Sequence, residues 1–593
     1  MDRFPDRCTR CEKRGQVCQF ERGGVTSQSS APLTHETPKE GSSFLLETRS
    51  PGSAPEEAQS NPSSYLIDVP PSKLPFEIDE DQTIYDTTVS REDLRALYVA
   101  YFEKFHYLLP VIPKEVVMPT SRPDIANNLG PPVFRRNKPL FWAICLVSCP
   151  VVNVDLQQVL LKYVQELVSK GVADNHVIVQ QYDTLAIVLA LILMSYWYVG
   201  TRGIGEDRAF YFSGLALHLG LQVGYNHPTH TNEYHIHPAF YTSAEARGLA
   251  WAGICIVNQL SSITYGLLPT LPTDAYYGKI FRVQDPYVSE IKKQILILRQ
   301  YRTFNKQFVN NLEDELGLTP PESRGLVYNA FDESISSLLT ELAPLSAISE
   351  LMALYCKLHM NLVLLLPDSL ERDKKRAIVP VFIISSQVCN VLSRLLDGSD
   401  IIPATLPLFV KQQIVVSVIV LYRILSSPYK GLLERESVLN CVSEFYRLSK
   451  LIQTPHGKDL QYQKVQNYWG AKFLDAIGVM YSQGALSPEL CTVRTRLNAS
   501  IFVSTAIEMF YWKLETDRLE NTKVSAFLRR LQEETNGECL PFPTESTTEQ
   551  PVQGSDILLD KEDQEFLREI FRFNPDINTL DFFNADLQQP LSS

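Results

Sequence analysis

Apolar residues recur at helical spacing along most of the chain, and the pattern first becomes regular at Ser90. Ser90-Arg-Glu-Asp93 has the form of a capping box, in which a side-chain oxygen accepts from an amide three residues on. Leu94, Leu97, Tyr98, Tyr101, Phe102 and Phe105 follow at steps of three and four, which sets all six on one helical face. Pro110 and Pro113 stop that helix, because proline has no amide hydrogen to continue the ladder. Long apolar or amphipathic segments then run over 139–149, 154–170, 178–199, 208–223, 244–263, 286–313, 346–366, 375–396, 406–426, 435–452 and 495–515, broken by Pro, Gly and polar turns. Strand alternation is rare and no period of about 20 to 50 residues recurs, so the pattern predicts an all-α domain of many antiparallel helices rather than a solenoid. Its expected span is 87–535.

One stretch, Thr184 to Thr201, carries no charge and resembles a membrane span. Spanning needs about 20 apolar residues, and this stretch is closed by Asp183 and Arg202 and interrupted by Ser195 and Gly200, so a core helix is expected. Residues 23–86 are rich in Ser, Pro, Thr and Glu with little periodicity, the composition of a disordered linker.

The 593 residues are 45% hydrophobic and 21% charged, enough for a substantial core with tails. The net charge of -13 excludes nucleic-acid binding spread over the whole surface and confines any such contact to a local basic patch. Residues 1–22 are that patch: Arg3, Arg7, Arg10, Lys13, Arg14 and Arg22 outweigh Asp2, Asp6, Glu12 and Glu21 by two charges. Eleven scattered cysteines form no disulfide framework, and no apolar run follows the first basic residues, so a reducing compartment without a signal peptide is expected.

Three of those cysteines, Cys8, Cys11 and Cys18, stand at C-x2-C-x6-C inside the basic patch. Thiolates two residues apart can clasp a zinc ion at about 2.3 Å, and a structural zinc takes four ligands, so three thiols make half a site. An incidental pair, or a redox pair without the βαβ pattern that such pairs accompany, is the plainer alternative. The segment, with Lys13-Arg14-Gly15 and Phe20, resembles the second half of the binuclear zinc cluster of fungal transcription factors. In that family the pattern occurs twice and the first copy carries the base-reading helix; here that copy would lie upstream of Met1, missing through truncation of the reading frame or through loss. The resemblance therefore implies that Arg10, Lys13 and Arg14 contact phosphates and supply salt-sensitive positioning without sequence information. With a complete cluster, a GC-rich promoter triplet would be the expected target. No heptad repeat follows Cys18, which leaves a monomer or a homodimer made by the large domain.

The resemblance extends downstream. Tyr101-Phe102-Glu-Lys-Phe105-His106 with Leu109-Pro110-Val111-Ile112 resembles the opening of the fungal-specific transcription factor domain. Arg208 to Leu221 resembles its helix ending in Leu-Gly-Leu, and Glu245-Ala-Arg247-Gly-Leu-Ala-Trp251 resembles its Glu-x-Arg-Arg-x-Leu-Trp-Trp signature, with Gly248 and Ala250 departing from it. Ser262-Ile-Thr-Tyr-Gly266-Leu-Leu-Pro269 stands where Ser-x-x-x-Gly-Arg-Pro is usual. By their residue types, Glu245 and Arg247 are expected in an ion pair or helix cap, and Trp251 in the core.

His218, His227, His230, His235 and His237 lie within twenty residues and suggest a metal site, yet His235 and His237 would diverge at their spacing and the first loop pair flanks Pro228. No phosphate-binding loop, nucleophile elbow or zinc-protease motif occurs, and Gly200 to Gly205 lacks the order of a dinucleotide loop, so catalysis is not expected. Within 536–593, acidic residues alternate with large apolar ones from Asp556 to Asp586, the composition of an amphipathic activation segment. Its expected anchors on a transcriptional coactivator are Phe571, Phe573, Leu580, Phe582 and Phe583. The combined expectation is a nuclear, zinc-dependent, DNA-binding regulator that has no membrane partner and activates through its tail. The alternative is a helical regulator that does not bind DNA and acts through a protein partner.

Overall fold

The computed structural model describes residues 80–113, 133–174, 183–197, 208–230, 244–271, 286–397, 403–453 and 469–516. Of these, 77% are helical, in fourteen α-helices with one small two-stranded sheet. The all-α architecture expected from the periodicity is therefore present.

The sheet is an antiparallel hairpin, β1 (Gln82–Ile84) and β2 (Thr87–Val89), with Gln82 opposite Val89 and Tyr85 in the positive-φ region of its turn. It begins inside the segment read as linker. Helix α1 (Arg91–Lys104) follows directly, and Ser90 Oγ accepts from the Asp93 amide at 3.0 Å, as the capping box requires. Its stripe of Leu94, Leu97, Tyr98, Tyr101 and Phe102 is buried against α2 (Val133–Val152). The chain continues through α3 (Leu156–Asp174), α4 (Thr184–Tyr196), α5 (Ala209–Gln222) and α6 (Ala244–Tyr265), each packed on its predecessor or on α2.

All thirteen residues of α4 are buried, as a uniformly apolar helix must be when surrounded on every side by protein. It lies between α2, α5 and α6, and Asp183 caps it by accepting from the Leu185 amide at 3.0 Å. Trp197, one residue past its end, donates from Nε1 to the Thr405 carbonyl at 2.9 Å and joins the first helices to the last ones. Three other helical stretches, Ala347–Leu365, Glu371–Leu396 and Leu408–Ser426, have the length and composition to cross a membrane; 89%, 50% and 83% of their apolar windows are buried inside this fold.

The second half contains α7 (Pro286–Phe308), α8 (Pro321–Leu342), α9 (Ala347–Leu362), α10 (Glu371–Asp397), α11 (Leu408–Ser426), α12 (Arg435–Gln453), α13 (Trp469–Ser482) and α14 (residues 500–516). Helix α7 packs on α6, α8 and α9, α9 packs on α10, and α11 is flanked by α12 and α13. Two of these helices, α8 and α13, fall outside the segments singled out by periodicity. Gly266, at φ +62°, ends α6 where a Cβ would overlap the Arg496 carbonyl, so the loop preceding α14 lies directly against the end of α6.

Candidate functional site

The residues expected to hold zinc (Cys8, Cys11, Cys18), to meet DNA (Arg10, Lys13, Arg14) and to anchor a coactivator (Phe571, Phe573, Leu580, Phe582, Phe583) lie outside the described residues. So do His235 and His237. Within the described residues the signature segments meet at the junction of α5 and α6, and a chain of buried polar groups runs from α6 through α9 and α11 to the loop before α14.

Arg247, fully buried in the first turns of α6, donates from Nη2 to the Val223 carbonyl at 2.8 Å and approaches that of Gly224 at 3.4 Å. These carbonyls end α5, where the helix dipole concentrates negative charge, so a guanidinium there completes the cap and pairs with the dipole. The Tyr225 ring lies under the guanidinium at 5.7 Å. Burial pushes the Tyr225 hydroxyl far up its scale, with Asp183 adding to the rise and Arg247 opposing it. Glu245 is exposed in the first turn of α6, whereas Trp251 is buried with its ring over Gly220. A Cβ on Gly220 would come within 2.5 Å of Ile254, so the Leu-Gly-Leu ending of α5 is what permits this approach of the two helices. The signature residues are thus a clasp, with the cap role for Arg247 and the core role for Trp251 both realised.

His218 is exposed on α5, and the His227 and His230 rings sit 6.0 Å apart in an edge-on contact. Among the described residues no group of three or more His, Cys, Asp or Glu side chains is placed to hold a metal ion.

The polar chain starts at Gln412 on α11. Thr264 Oγ1 lies 2.6 Å from Gln412 Oε1 and 3.1 Å from the Tyr355 hydroxyl. A hydroxyl has a single proton, and that of Thr264 serves the Gln412 amide oxygen and the Leu260 carbonyl at 3.1 Å, so toward Tyr355 it accepts. Tyr355 meets the His359 ring edge-on at 4.4 Å. Asn498 Nδ2 donates to the Ile263 carbonyl at 2.6 Å and to His359 Nδ1 at 2.9 Å. The carbonyl contact fixes the amide's orientation, which makes Nδ1 an acceptor and puts the neutral ring's proton on Nε2. Nε2 is buried with no hydrogen-bond partner, and desolvation lowers the His359 pKa to about 3.

Beside this chain, Ser195, Tyr196, Val257, Thr264, Phe409 and Gln412 enclose a crevice of about 10 Å³. That is room for about one water and far below the several hundred Å³ of a small-molecule site.

Two buried arginines clamp the loops around this centre. Arg324 on α8 grips Asp368 through two parallel bonds of 2.8 and 2.9 Å and also donates to the Thr319 carbonyl and Ser369 Oγ. Hydrogen bonds from Arg324 hold the Asp368 carboxyl below its usual range, aided by the charge of Arg494 at 3.2 Å. Arg494 also reaches Asp314 at 3.4 Å, whose carboxylate accepts the Leu316 and Leu318 amides. Arg423 on α11 pairs with Glu508 on α14 and donates to Thr505 at 2.8 Å. None of these pairs had a motif, since their members are 44 to 180 residues apart, and Arg324 and Arg423 taken alone are ordinary helical residues while Arg494 is an ordinary loop residue.

The arrangement defines a large α-helical scaffold in which the loop before α14 and α14 itself, the last described elements, are tied back to its centre. The chain is similar to fungal proteins named as transcription factors. The match to "Putative transcription factor SEF1" of Eremothecium gossypii is 22% identical over 299 residues, covering 50% of this chain and 28% of that protein. That to "Transcriptional regulatory protein SEF1" of Candida albicans is 21% identical over 423 residues, covering 68% of this chain and 40% of that protein. The chain thus spans less than half the length of these relatives. No family model matches it, and no solved structure does.

Proposed function

We propose that the chain is a fungal-type transcription regulator in which the helical domain is the regulatory body, the N-terminal basic segment contacts DNA and the acidic-hydrophobic tail recruits a coactivator. The observation that carries the reading is the order of features. A cysteine-bearing basic segment precedes a domain whose signature residues Arg247 and Trp251 form one clasp, and the relatives matched are named as transcription factors. Cys8, Cys11 and Cys18 would hold one zinc ion, which orders the segment when bound. Arg10, Lys13 and Arg14 would neutralise phosphates and so position the protein on a duplex without reading bases. The function is regulatory rather than enzymatic, and its place is the nucleus.

The test is binding of the whole chain to duplex DNA of mixed sequence over a salt series. The expected outcome is an affinity that falls steeply with salt, is indifferent to sequence, and is lost when Arg10, Lys13 and Arg14 are changed to Ala together. Undiminished binding by that triple variant, or no binding by the parent at low salt, would point to a regulator that acts through a protein partner.

A further inference from the structure

Helices α10 and α12 face each other mainly through apolar side chains, but one stripe of their contact is made of small polar and sulfur groups. Cys389 and Ser393 on α10 lie opposite Cys441 and Glu444 on α12, with Ser386 one turn before Cys389. The two Sγ atoms are 3.8 Å apart, and Cys389 Sγ also points at the Cys441 carbonyl at 3.7 Å. Ser386 Oγ is 3.9 Å from Cys441 Sγ. Of the described cysteines, Cys441 alone is not fully buried, and it sits between exposed Asn440 and exposed Ser443. The other five, Cys145, Cys149, Cys255, Cys356 and Cys491, are buried.

We propose that Cys389 and Cys441 form a peroxide-sensitive thiol pair, in which Cys441 is attacked first and Cys389 resolves it to a disulfide joining α10 to α12. The division of roles follows from access: Cys441 is the sulfur that is not fully buried and has the Ser386 hydroxyl beside it to favour a thiolate, whereas Cys389 is buried behind it. Glu444 and Arg447, the charged groups that reach the pair from α12, are paired with each other at 2.7 Å, which tempers without cancelling the carboxylate's opposition to a thiolate on Cys441.

The chemistry balances. The Cys441 thiolate attacks one oxygen of hydrogen peroxide, the O–O bond breaks, and hydroxide leaves and takes up a proton as water, giving a sulfenic acid on Cys441. The Cys389 sulfur then displaces the sulfenic hydroxyl as its own proton leaves with it as the second water, and the S–S bond forms. Two thiols are oxidised and one peroxide is reduced to two waters. The sulfurs must close by about 1.8 Å to reach bonding distance, a movement within reach of side-chain rotation. Any dithiol reductant reverses the link. The inference is independent of whether the protein binds DNA.

The full chain is treated with graded hydrogen peroxide, unfolded, alkylated and digested with trypsin without reduction. Cys389 and Cys441 fall in separate tryptic peptides, 377–394 and 436–447, each with no other cysteine. The expected result is a joined peptide pair, lighter by two hydrogens than its parts, at doses that leave Cys145, Cys149, Cys255 and Cys356 open to alkylation. Dithiothreitol should restore both thiols. In Cys389→Ser, Cys441 should be trapped by dimedone as the sulfenic acid, and in Cys441→Ser, oxidation of Cys389 should be lost. The proposal is overturned if both peptides keep free thiols at doses that oxidise the buried cysteines. It is overturned equally if Cys389 oxidises unchanged in Cys441→Ser, or if mixed heavy and light protein shows the link to run between two copies.

Discussion

His359 shows what a single buried base does to this fold. Its Nδ1 is occupied by Asn498 and its Nε2–H has no acceptor, so the site accommodates a neutral ring and not an imidazolium. The folded pKa of about 3 lies below the unfolded value of about 6.5, so between those limits only the unfolded chain takes up the proton. Stability is therefore complete above about pH 6.5 and is lost as the pH falls toward 3. Between pH 7 and pH 5 the loss should be about 2 kcal/mol from this residue. His106, whose pKa burial also lowers to about 3, adds a separate loss in that interval that the His359 variant leaves in place, whereas Asp368 and Asp314 do not contribute there, because their pKa values are lowered from an already acidic starting point. His359→Phe keeps a ring against Tyr355, leaves Asn498 bonded to Ile263, and should flatten the pH dependence by about the same 2 kcal/mol, measured by urea unfolding at both pH values. An unchanged pH dependence in the variant would show that the ring already charges in the folded state. Arg324 and Asp368 give an asymmetric case. Asp368 is 27% exposed and keeps Arg494 when Arg324 is removed, whereas Arg324 is 1% exposed and loses its only two-point anion when Asp368 is removed. Asp368→Ala should cost about 3 to 5 kcal/mol, and Arg324→Met less. Unfolding free energies in the opposite order would mean that the guanidinium finds compensation from the Thr319 carbonyl and Ser369 alone.

At the scale of elements, the α5–α6 contact depends on the missing side chain at Gly220. Gly220→Ala would put a methyl group within 2.5 Å of the terminal Cδ1 of Ile254, which must turn aside among its buried neighbours, at a cost of about 1 kcal/mol. The companion Gly214→Ala, with nothing within 4 Å of its new Cβ, should be neutral or slightly stabilising by helix propensity. Thermal unfolding of the two variants separates packing from propensity; equal shifts would remove the close-approach argument. The same contact shows what was legible in the sequence. The capping box and stripe of α1 and the charge-free α4 were readable because each is decided locally by spacing or by a cap, whereas the Leu-Gly-Leu end of α5 was singled out through the family resemblance alone. Helices α8 and α13 were not. Only Arg324, Gly325, Tyr328 and Ile335 of α8 are fully buried, too sparse a face to register as a stripe. In α13, Gly470 and Gly478 lower the intrinsic preference, and the helix rests on packing, with Tyr446 Oη set against Gly478 at the distance only a glycine allows. The polar chain through Thr264, Tyr355, His359 and Asn498 joins residues up to 235 apart, and each of them has an ordinary helical or loop context when read alone. Long-range pairing of this sort leaves no periodic trace.

Over the whole molecule, a net charge of -13 sets the terms on which the proposed partners could be met. That charge lies outside the helical body: residues 87–535 carry 43 Lys and Arg against 41 Asp and Glu, whereas residues 23–86 and 536–593 together carry 6 against 23. Residues 551–593 carry nine carboxylates, Asp556, Asp560, Glu562, Asp563, Glu565, Glu569, Asp576, Asp581 and Asp586, against Lys561, Arg568 and Arg572. In the proposed function such a segment would meet a basic-rimmed apolar groove: the carboxylates would speed encounter, while Phe571, Phe573, Leu580, Phe582 and Phe583 would supply the buried area that holds the complex. Joined to an unrelated DNA-binding domain, residues 551–593 should activate a reporter carrying that domain's site. Phe582→Ala with Phe583→Ala should remove most of the activation, because aromatic anchors typically contribute about 2 kcal/mol or more each. Replacing Asp576 and Asp581 by Asn should instead weaken activation moderately, since it slows association and leaves the anchors in place. A silent reporter, or one indifferent to the loss of both phenylalanines, would assign the apolar residues of the tail to packing within the protein and leave recruitment to another part of the chain.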